Sequence, residues 1–314
     1  MTKFLLSWRF MFLALVGSII ASGFLLWTPD MDRDLLEKKY GQAPSETIFL
    51  EGMEIHYRDT GKKTAPALIF IHGFGSSLHT WDDWAIELEK DYRVIRFDLP
   101  GFGLTGPDPR SDYSDNRSIA IILALMERLE VSKPTVIGNS IGGRIAWYFA
   151  ANYPQKVHQL VLISPDGFAS YGLEYDQAPQ VPVVAELLQW SLPLFVLKKN
   201  LEKAFANKNN LSLTLLERYY ELMLLPGNRR AMIERLRQTV LQDPVPFLSK
   251  IEAPTLLLWG AQDALIPVKN ADDYMRLIPK VQLQALPNIG HIPQEEGADR
   301  NLLYLQDFLK NPSE

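Results

Sequence analysis

Ser140 stands at the centre of Gly138-Asn139-Ser140-Ile141-Gly142, a G-x-S-x-G in which a hydroxyl nucleophile can be held out between two glycines. Upstream, Lys133-Pro134-Thr135-Val136-Ile137 is a short β-branched run behind a proline and reads as a strand. Downstream, residues 144–151 read as a helix that must stop before Pro154. A strand–turn–helix of this kind sets the serine at a helix N-terminus, where free N–H groups favour developing negative charge. A serine hydroxyl alone is a weak nucleophile. The chemistry therefore needs a base, an acid to orient the base, and donors for an oxyanion.

Two of the five histidines, His158 and His291, follow Ser140. His158 opens the apolar run 157–163, which reads as the next strand, so its side chain belongs to a strand edge. His291 lies in Pro287-Asn288-Ile289-Gly290-His291-Ile292-Pro293, a loop after the last strand expected, residues 281–286. That placement suits a base that reaches over the serine. For the acid, Pro254-Thr255-Leu256-Leu257-Leu258-Trp259-Gly260 reads as a buried parallel strand, and Asp263 follows at its C-terminal end, where sites in open α/β sheets are built. Asp166, in Ser164-Pro165-Asp166-Gly167, is the competing acid, although a turn explains it equally well.

Oxyanion donors are expected from His72-Gly73-Phe74-Gly75, the loop after strand 67–71, through the N–H of Phe74, with the N–H of Ile141 as the second. A G-x-G-x-x-G also occurs at 101–106, directly after the strand expected at 92–97. A dinucleotide site needs a helix to open on those glycines, and Pro107-Asp108-Pro109 forbids one.

With these motifs in place the chain resembles the α/β-hydrolase superfamily over residues 47–310. The resemblance implies Ser140 as nucleophile, His291 as general base, Asp263 as orienting acid, and the Phe74 and Ile141 N–H groups as the oxyanion hole. It implies no cofactor and no metal. Asp98-Leu99-Pro100-Gly101 matches the loop after the fourth strand, whose aspartate is usually structural in that family.

The elements that must position these residues follow from periodicity. Strands and helices alternate from residue 67 onward, which predicts a mainly parallel eight-stranded sheet with helices on both faces. Short strands at 47–50 and 54–58 predict an antiparallel hairpin at one edge, and helices are expected at 78–89, 115–130, 141–153, 269–278 and 298–310. The core is then residues 47–164 and 251–314. Residues 165–250 break the rhythm with helical stretches at 213–224 and 229–241, an insert after the sixth strand that the resemblance implies is a helical cap. Apolar side chains such as Val183, Leu187, Trp190 and Phe195 fit either a greasy lid over an acyl substrate or plain packing of cap on core. From 198 to 237 the cap carries nine Lys or Arg against four Glu, a solvated face that an anionic bilayer would also attract.

A net charge of −5 gives no sign of nucleic-acid binding, and the absence of cysteine excludes a disulfide framework and thiolate metal sites. Residues 10–27 carry no charge and, as a helix, would reach about 27 Å, close to a bilayer's hydrocarbon thickness. Trp8 and Trp27 sit near its ends, where interfacial aromatics belong. Residues 1–29 are therefore expected to be a single-pass membrane anchor, and 30–46 a tether. The alternative is a signal peptide cleaved at Ala21-Ser22-Gly23, although the apolar run continues past it. Lys3 and Arg9 put the N-terminus in the cytoplasm and the hydrolase on the far side (the periplasmic side in a bacterium), while Arg33, Lys38 and Lys39 weigh against that orientation. The arrangement resembles the membrane-anchored, monoacylglycerol-lipase-like α/β-hydrolase-domain proteins.

The expected activity is cleavage of carboxylic esters of lipids or other apolar acyl compounds through an acyl-enzyme. One alternative is a serine-dependent carbon–carbon bond hydrolase of ring-cleavage products, whose elbow Gly138-Asn139-Ser140-Ile141-Gly142-Gly143 resembles. Against it, His72-Gly73-Phe74-Gly75-Ser76-Ser77 lacks the longer glycine run of that family's oxyanion loop. The same triad also serves perhydrolases and haloperoxidases. A noncatalytic binding member of the fold is the reading from a different class, and such members usually lose a triad residue.

Overall fold

Three strands consist of nearly uninterrupted apolar residues, and such strands are stable only when both faces are covered. They are β3 (Ala67–Ile71), β6 (Leu160–Ile163) and β7 (Thr255–Gly260), and with β5 (Thr135–Asn139) they are buried along almost their whole length. The computed structural model of the chain describes residues 11–13, 26–169 and 174–311. In it β1 (Ser45–Leu50), β2 (Met53–Thr60), β4 (Arg93–Phe97) and β8 (Val281–Leu286) complete one eight-stranded sheet. The order is β1-β2-β4-β3-β5-β6-β7-β8. The β1–β2 and β2–β4 pairs are antiparallel, and every later pair is parallel.

Alternation along the strands divides the core into two layers. Ile69, Ile71, Val136, Leu160, Leu162, Leu257 and Trp259 face one layer. It is covered by α3 (Asp115–Arg128), α4 (Ile141–Asn152) and α10 (Ala271–Leu277), which supply Leu125, Phe149 and Tyr274. Leu68, Phe70, Ile137, Val161, Ile163, Leu256 and Leu258 face the other. There α2 (Asp82–Leu88) contributes Trp84, and α11 (Ala298–Lys310) contributes Leu305 and Phe308.

The structure shifts some expected boundaries for local reasons. The helix expected at 78–89 begins as a 3₁₀ turn, Leu78–Trp81, because the Leu78 N–H is drawn to the buried Asp98 carboxylate at 2.6 Å. β5 runs past the expected strand end to Asn139, since Gly138 and Asn139 pair with Leu162 and Ile163. Residues 98–109 form turns and open no helix, as expected from Pro107 and Pro109, with Asp98 accepting the Leu104 N–H at 2.8 Å.

Between β6 and β7 lies the helical cap: α5 (Val183–Glu186), α6 (Leu194–Leu201), α7 (Leu213–Met223), α8 (Asn228–Gln238) and α9 (Val245–Leu248). The segment expected as a tether is ordered against the cap. It contains α1 (Arg33–Tyr40), N-capped by Asp32, with Leu36 fully buried against Leu104, Leu222 and Leu225. Most of the apolar run 10–27 lies outside the described residues. Among the described residues no helix is long and apolar enough to cross a membrane.

Candidate active site

Close packing of two glycines shapes the turn that carries Ser140. A Cβ on Gly138 would lie 2.1 Å from the Gly142 carbonyl oxygen, and one on Gly142 would lie 2.3 Å from that of Ile71. With no side chain at either position, the helix start drops against the ends of β3 and β5, and Ser140 is forced to φ 56°, ψ −120°. A non-glycine residue there is strained by about 1–3 kcal/mol, and the strain persists only because the surroundings fix it. The Ser140 N–H donates to the Ile163 carbonyl at 3.0 Å, and its own carbonyl accepts the Arg144 and Asp166 N–H groups.

His291 and Asp263 meet on the loops after β8 and β7. His291 Nδ1 lies 2.7 Å from Asp263 Oδ2, with both residues more than nine-tenths buried. The other carboxylate oxygen of Asp263 accepts the backbone N–H groups of Leu265 (2.8 Å) and Ile266 (2.9 Å), which fixes its direction. Ser140, His291 and Phe74 line one cavity of about 430 Å³, walled mainly by apolar cap residues such as Leu188, Leu192, Val196 and Leu197. Ile141, the first residue of α4, is buried beside the serine. A larger cavity of about 550 Å³, between α1 and the β1–β2 hairpin, contains none of these residues.

The two competitors lie elsewhere. His158 is exposed at the N-terminal end of β6, the opposite end of the sheet from the serine, and its N–H donates to Pro134. Asp166 pairs with Arg144, which also holds Asp115, and its carbonyl accepts from Trp147 Nε1 at 3.0 Å. It braces the elbow and does not reach His291.

Residues 66–298 match the profile of the alpha/beta hydrolase fold family. The chain belongs to that family. This α/β-hydrolase is 30% identical over 278 residues to epoxide hydrolase 4 of Homo sapiens, covering 82% of this chain and 76% of that one. It is 27% identical over 270 residues to 2-hydroxy-6-oxo-6-phenylhexa-2,4-dienoate hydrolase of Burkholderia cepacia, covering 83% and 93%. Among solved structures, a bacterial membrane phospholipase A described as a virulence factor superposes with a TM-score of 0.72 at 26% identity, covering 99% of this chain and 98% of its own.

Several side chains of this α/β-hydrolase matter to the site without any motif to announce them. Asn139 Nδ2 donates to the carbonyls of Ile163 and His291, both at 3.1 Å, and Gln294 donates to Asn139 Oδ1 at 3.2 Å. The strand that leads into Ser140 is thereby tied to the loop of His291. Glu296, fully buried, accepts the N–H groups of Ala206, Asn207 and Gly290 and the side-chain amide of Asn210. In addition the His291 N–H donates to the Ala204 carbonyl at 2.7 Å. A Cβ on Gly290 would lie 2.3 Å from that same carbonyl oxygen, so only glycine lets the cap approach this closely. In sequence these are ordinary polar residues, whose partners lie up to 155 positions away.

Around the loop of residues 72–75, burial and neighbouring charges shift several groups. Desolvation pushes the His72 imidazole down to about 4. Burial pushes the Glu295 carboxyl up, against the opposing pull of Arg218 2.5 Å away. Asp98 is held down to about 2: burial raises it most, but His56, 2.7 Å away, together with His72 and His79, more than offsets that. Among the described residues no cluster of three or more His, Asp or Glu side chains is arranged to hold a metal ion.

Proposed function

We propose that the chain is a serine hydrolase of carboxylic esters with an apolar acyl group. Ser140 Oγ attacks the ester carbonyl while His291 Nε2 takes its proton, and the N–H groups of Phe74 and Ile141 hold the resulting oxyanion. The C–O bond then breaks, His291 delivers the proton to the leaving alcohol, and Asp263 holds the imidazole in the required tautomer. Water repeats the cycle on the acyl-enzyme and releases the acid. Each oxyanion donor is worth roughly a hundred- to a thousandfold in rate.

One observation carries this reading: a strained Ser140 shares a cavity with a histidine whose other ring nitrogen is committed to Asp263. The apolar wall supports the acyl preference, since Lys203, at the exposed rim, is the one cationic side chain among the described lining residues. The name of the human relative suggests epoxide opening, but the nucleophile argues against it. A serine that opened an epoxide would be left as an alkyl ether, with no carbonyl through which water could release it.

The Burkholderia relative supports a second reading, cleavage of a carbon–carbon bond next to a ketone, by the same serine and oxyanion. Such a substrate carries a carboxylate, which finds little charge to meet it in this cavity. Membrane attachment through residues 10–27 is part of the proposal. The likeness to the membrane phospholipase, at 26% identity and a TM-score of 0.72, supports it.

The test is fluorophosphonate labelling of detergent-solubilised protein, with p-nitrophenyl esters and a vinylogous diketone offered in parallel. We expect label on Ser140, ester turnover well above diketone turnover, and loss of both label and turnover in a folded Ser140→Ala variant. Full activity in that variant refutes the nucleophile. Faster diketone cleavage transfers the chain to the second reading.

A further inference from the structure

The cap turns apolar side chains outward as well as inward. Between residues 183 and 195, Val183 (84% exposed), Val184, Leu187, Trp190 (55%), Leu194 and Phe195 (63%) all face solvent. Soluble proteins seldom leave so many large apolar groups together in water, and such patches mark interaction surfaces. α6 is apolar on both sides: Leu194 and Phe195 point out, while Val196 and Leu197 line the cavity that holds Ser140.

The chain that enters from the N-terminal segment is fastened to this patch. The Thr28 N–H donates to the Trp190 carbonyl at 2.8 Å, and the Leu192 N–H donates to Thr28 Oγ1 at 2.9 Å. Further along, Met31 bonds to the Leu224 carbonyl, Asp30 pairs with the buried Arg229 at 2.7 Å, and Lys39 and Tyr40 share Glu221. Leu26 and Trp27, where the apolar run ends, are exposed directly ahead of that junction. A surface that receives Leu26 and Trp27 therefore also meets Trp190 and its neighbours.

We infer that the outer face of α5 and α6 docks on a lipid bilayer, with residues 26–41 strapping the cap to the membrane segment. This rests on the membrane reading above and goes beyond it, because an anchor on a free tether would leave the cap's orientation open. Trp190 is suited to the headgroup level, and the exposed Lys198 and Lys199 of α6 add attraction to anionic headgroups. An acyl chain then passes from the bilayer to Ser140 past a helix that is apolar on both sides.

The absence of native cysteine makes single-site labelling clean. Full-length protein carrying an environment-sensitive NBD label at Val184→Cys, Phe195→Cys, Leu26→Cys or, on the core helix α11, Leu303→Cys would be reconstituted in vesicles of phosphatidylcholine and phosphatidylglycerol. The expected result is blue-shifted emission at 26, 184 and 195 but not at 303. A shift at 26 alone overturns the docking and leaves the anchor standing, whereas no shift at any position removes both. A shift at 184 and 195 that grows with concentration in lipid-free micelles assigns the face to a second copy of the chain and also overturns the proposal. As a second measurement, Val184→Glu with Leu187→Glu should lower turnover of a vesicle-borne ester about tenfold, with a soluble short-chain ester unaffected. Unchanged turnover on vesicles counts against docking.

Discussion

At His291 the two ring nitrogens are already assigned different tasks. Nδ1 donates to Asp263 Oδ2 at 2.7 Å, so the lone pair left for a serine is on Nε2. An amide at position 263 could offer its N–H to Nδ1, which would move the proton to Nε2 and leave the base without a lone pair where it is needed. Asp263→Asn should therefore lower kcat by about 10³–10⁴ with little change in melting temperature, measured on a p-nitrophenyl ester. His72 shows the opposite dependence on a proton. Its Nδ1–H donates to the Gly73 carbonyl at 2.8 Å, and its Nε2 accepts the Leu99 N–H at 3.0 Å, so a second proton would set N–H against N–H. Burial accordingly lowers it to about 4, below its value of 6.5 in an unfolded chain. The folded state thus prefers neutral His72, and that stability is complete above pH 6.5 and lost as pH falls toward 4. The buried His79, also lowered to about 4, acts in the same direction. Urea unfolding should show a loss of about 2 kcal/mol per histidine between neutral pH and about pH 5. A flat stability across that interval would contradict the buried neutral tautomer.

Elements bring these residues together from distant parts of the chain, and their type is easier to read than their ends. The loops bearing Asp263 and His291 are legible because each follows a run that reads as a strand, at the end where such sheets build sites. The ends are less legible: β5 extends to Asn139 because its neighbour β6 offers pairing partners, a fact about register that no local pattern contains. The connection between cap and histidine loop is illegible for a related reason. Glu296 looks like a solvated glutamate in Gln294-Glu295-Glu296, yet it gathers four N–H donors from residues 206–210 and 290. Glu296→Gln keeps the volume but turns a donor toward donors and removes the charge. Unpaired buried groups cost about 1–3 kcal/mol each, so the variant should lose roughly 2–4 kcal/mol of stability. Its kcat should fall together with stability, because Gly290 and His291 are held by the same cap segment. Thermal melting and ester kinetics measure the two effects. Unchanged kcat in a destabilised protein would mean that the clamp supports only the cap.

For the molecule as a whole, strand–helix alternation and its interruption at the cap are readable because each depends on local periodicity. The strap across the cap is not. Residues 30–41 carry charge at most positions, and a single leucine, Leu36, is fully buried, so the pattern reads as a tether and does not announce a packed helix. Its order comes from the cluster of Leu36 with Leu104 of the core and Leu222 and Leu225 of the cap, a contact only the folded cap can offer. α1 therefore lies between two bodies, and its Arg33 also donates to the Leu104 carbonyl at 3.1 Å. Leu36→Ala removes the shared side chain and should cost about 2–4 kcal/mol, by lost burial and by the cavity left behind. The cost should be localised. Amide exchange should accelerate across α1, α7 and α8, which meet the strap, while β3, β5, β6 and β7 keep their protection, because their layers contain no atom of the cluster. Exchange that rises equally in the central strands would show that strap, cap and sheet unfold as one unit.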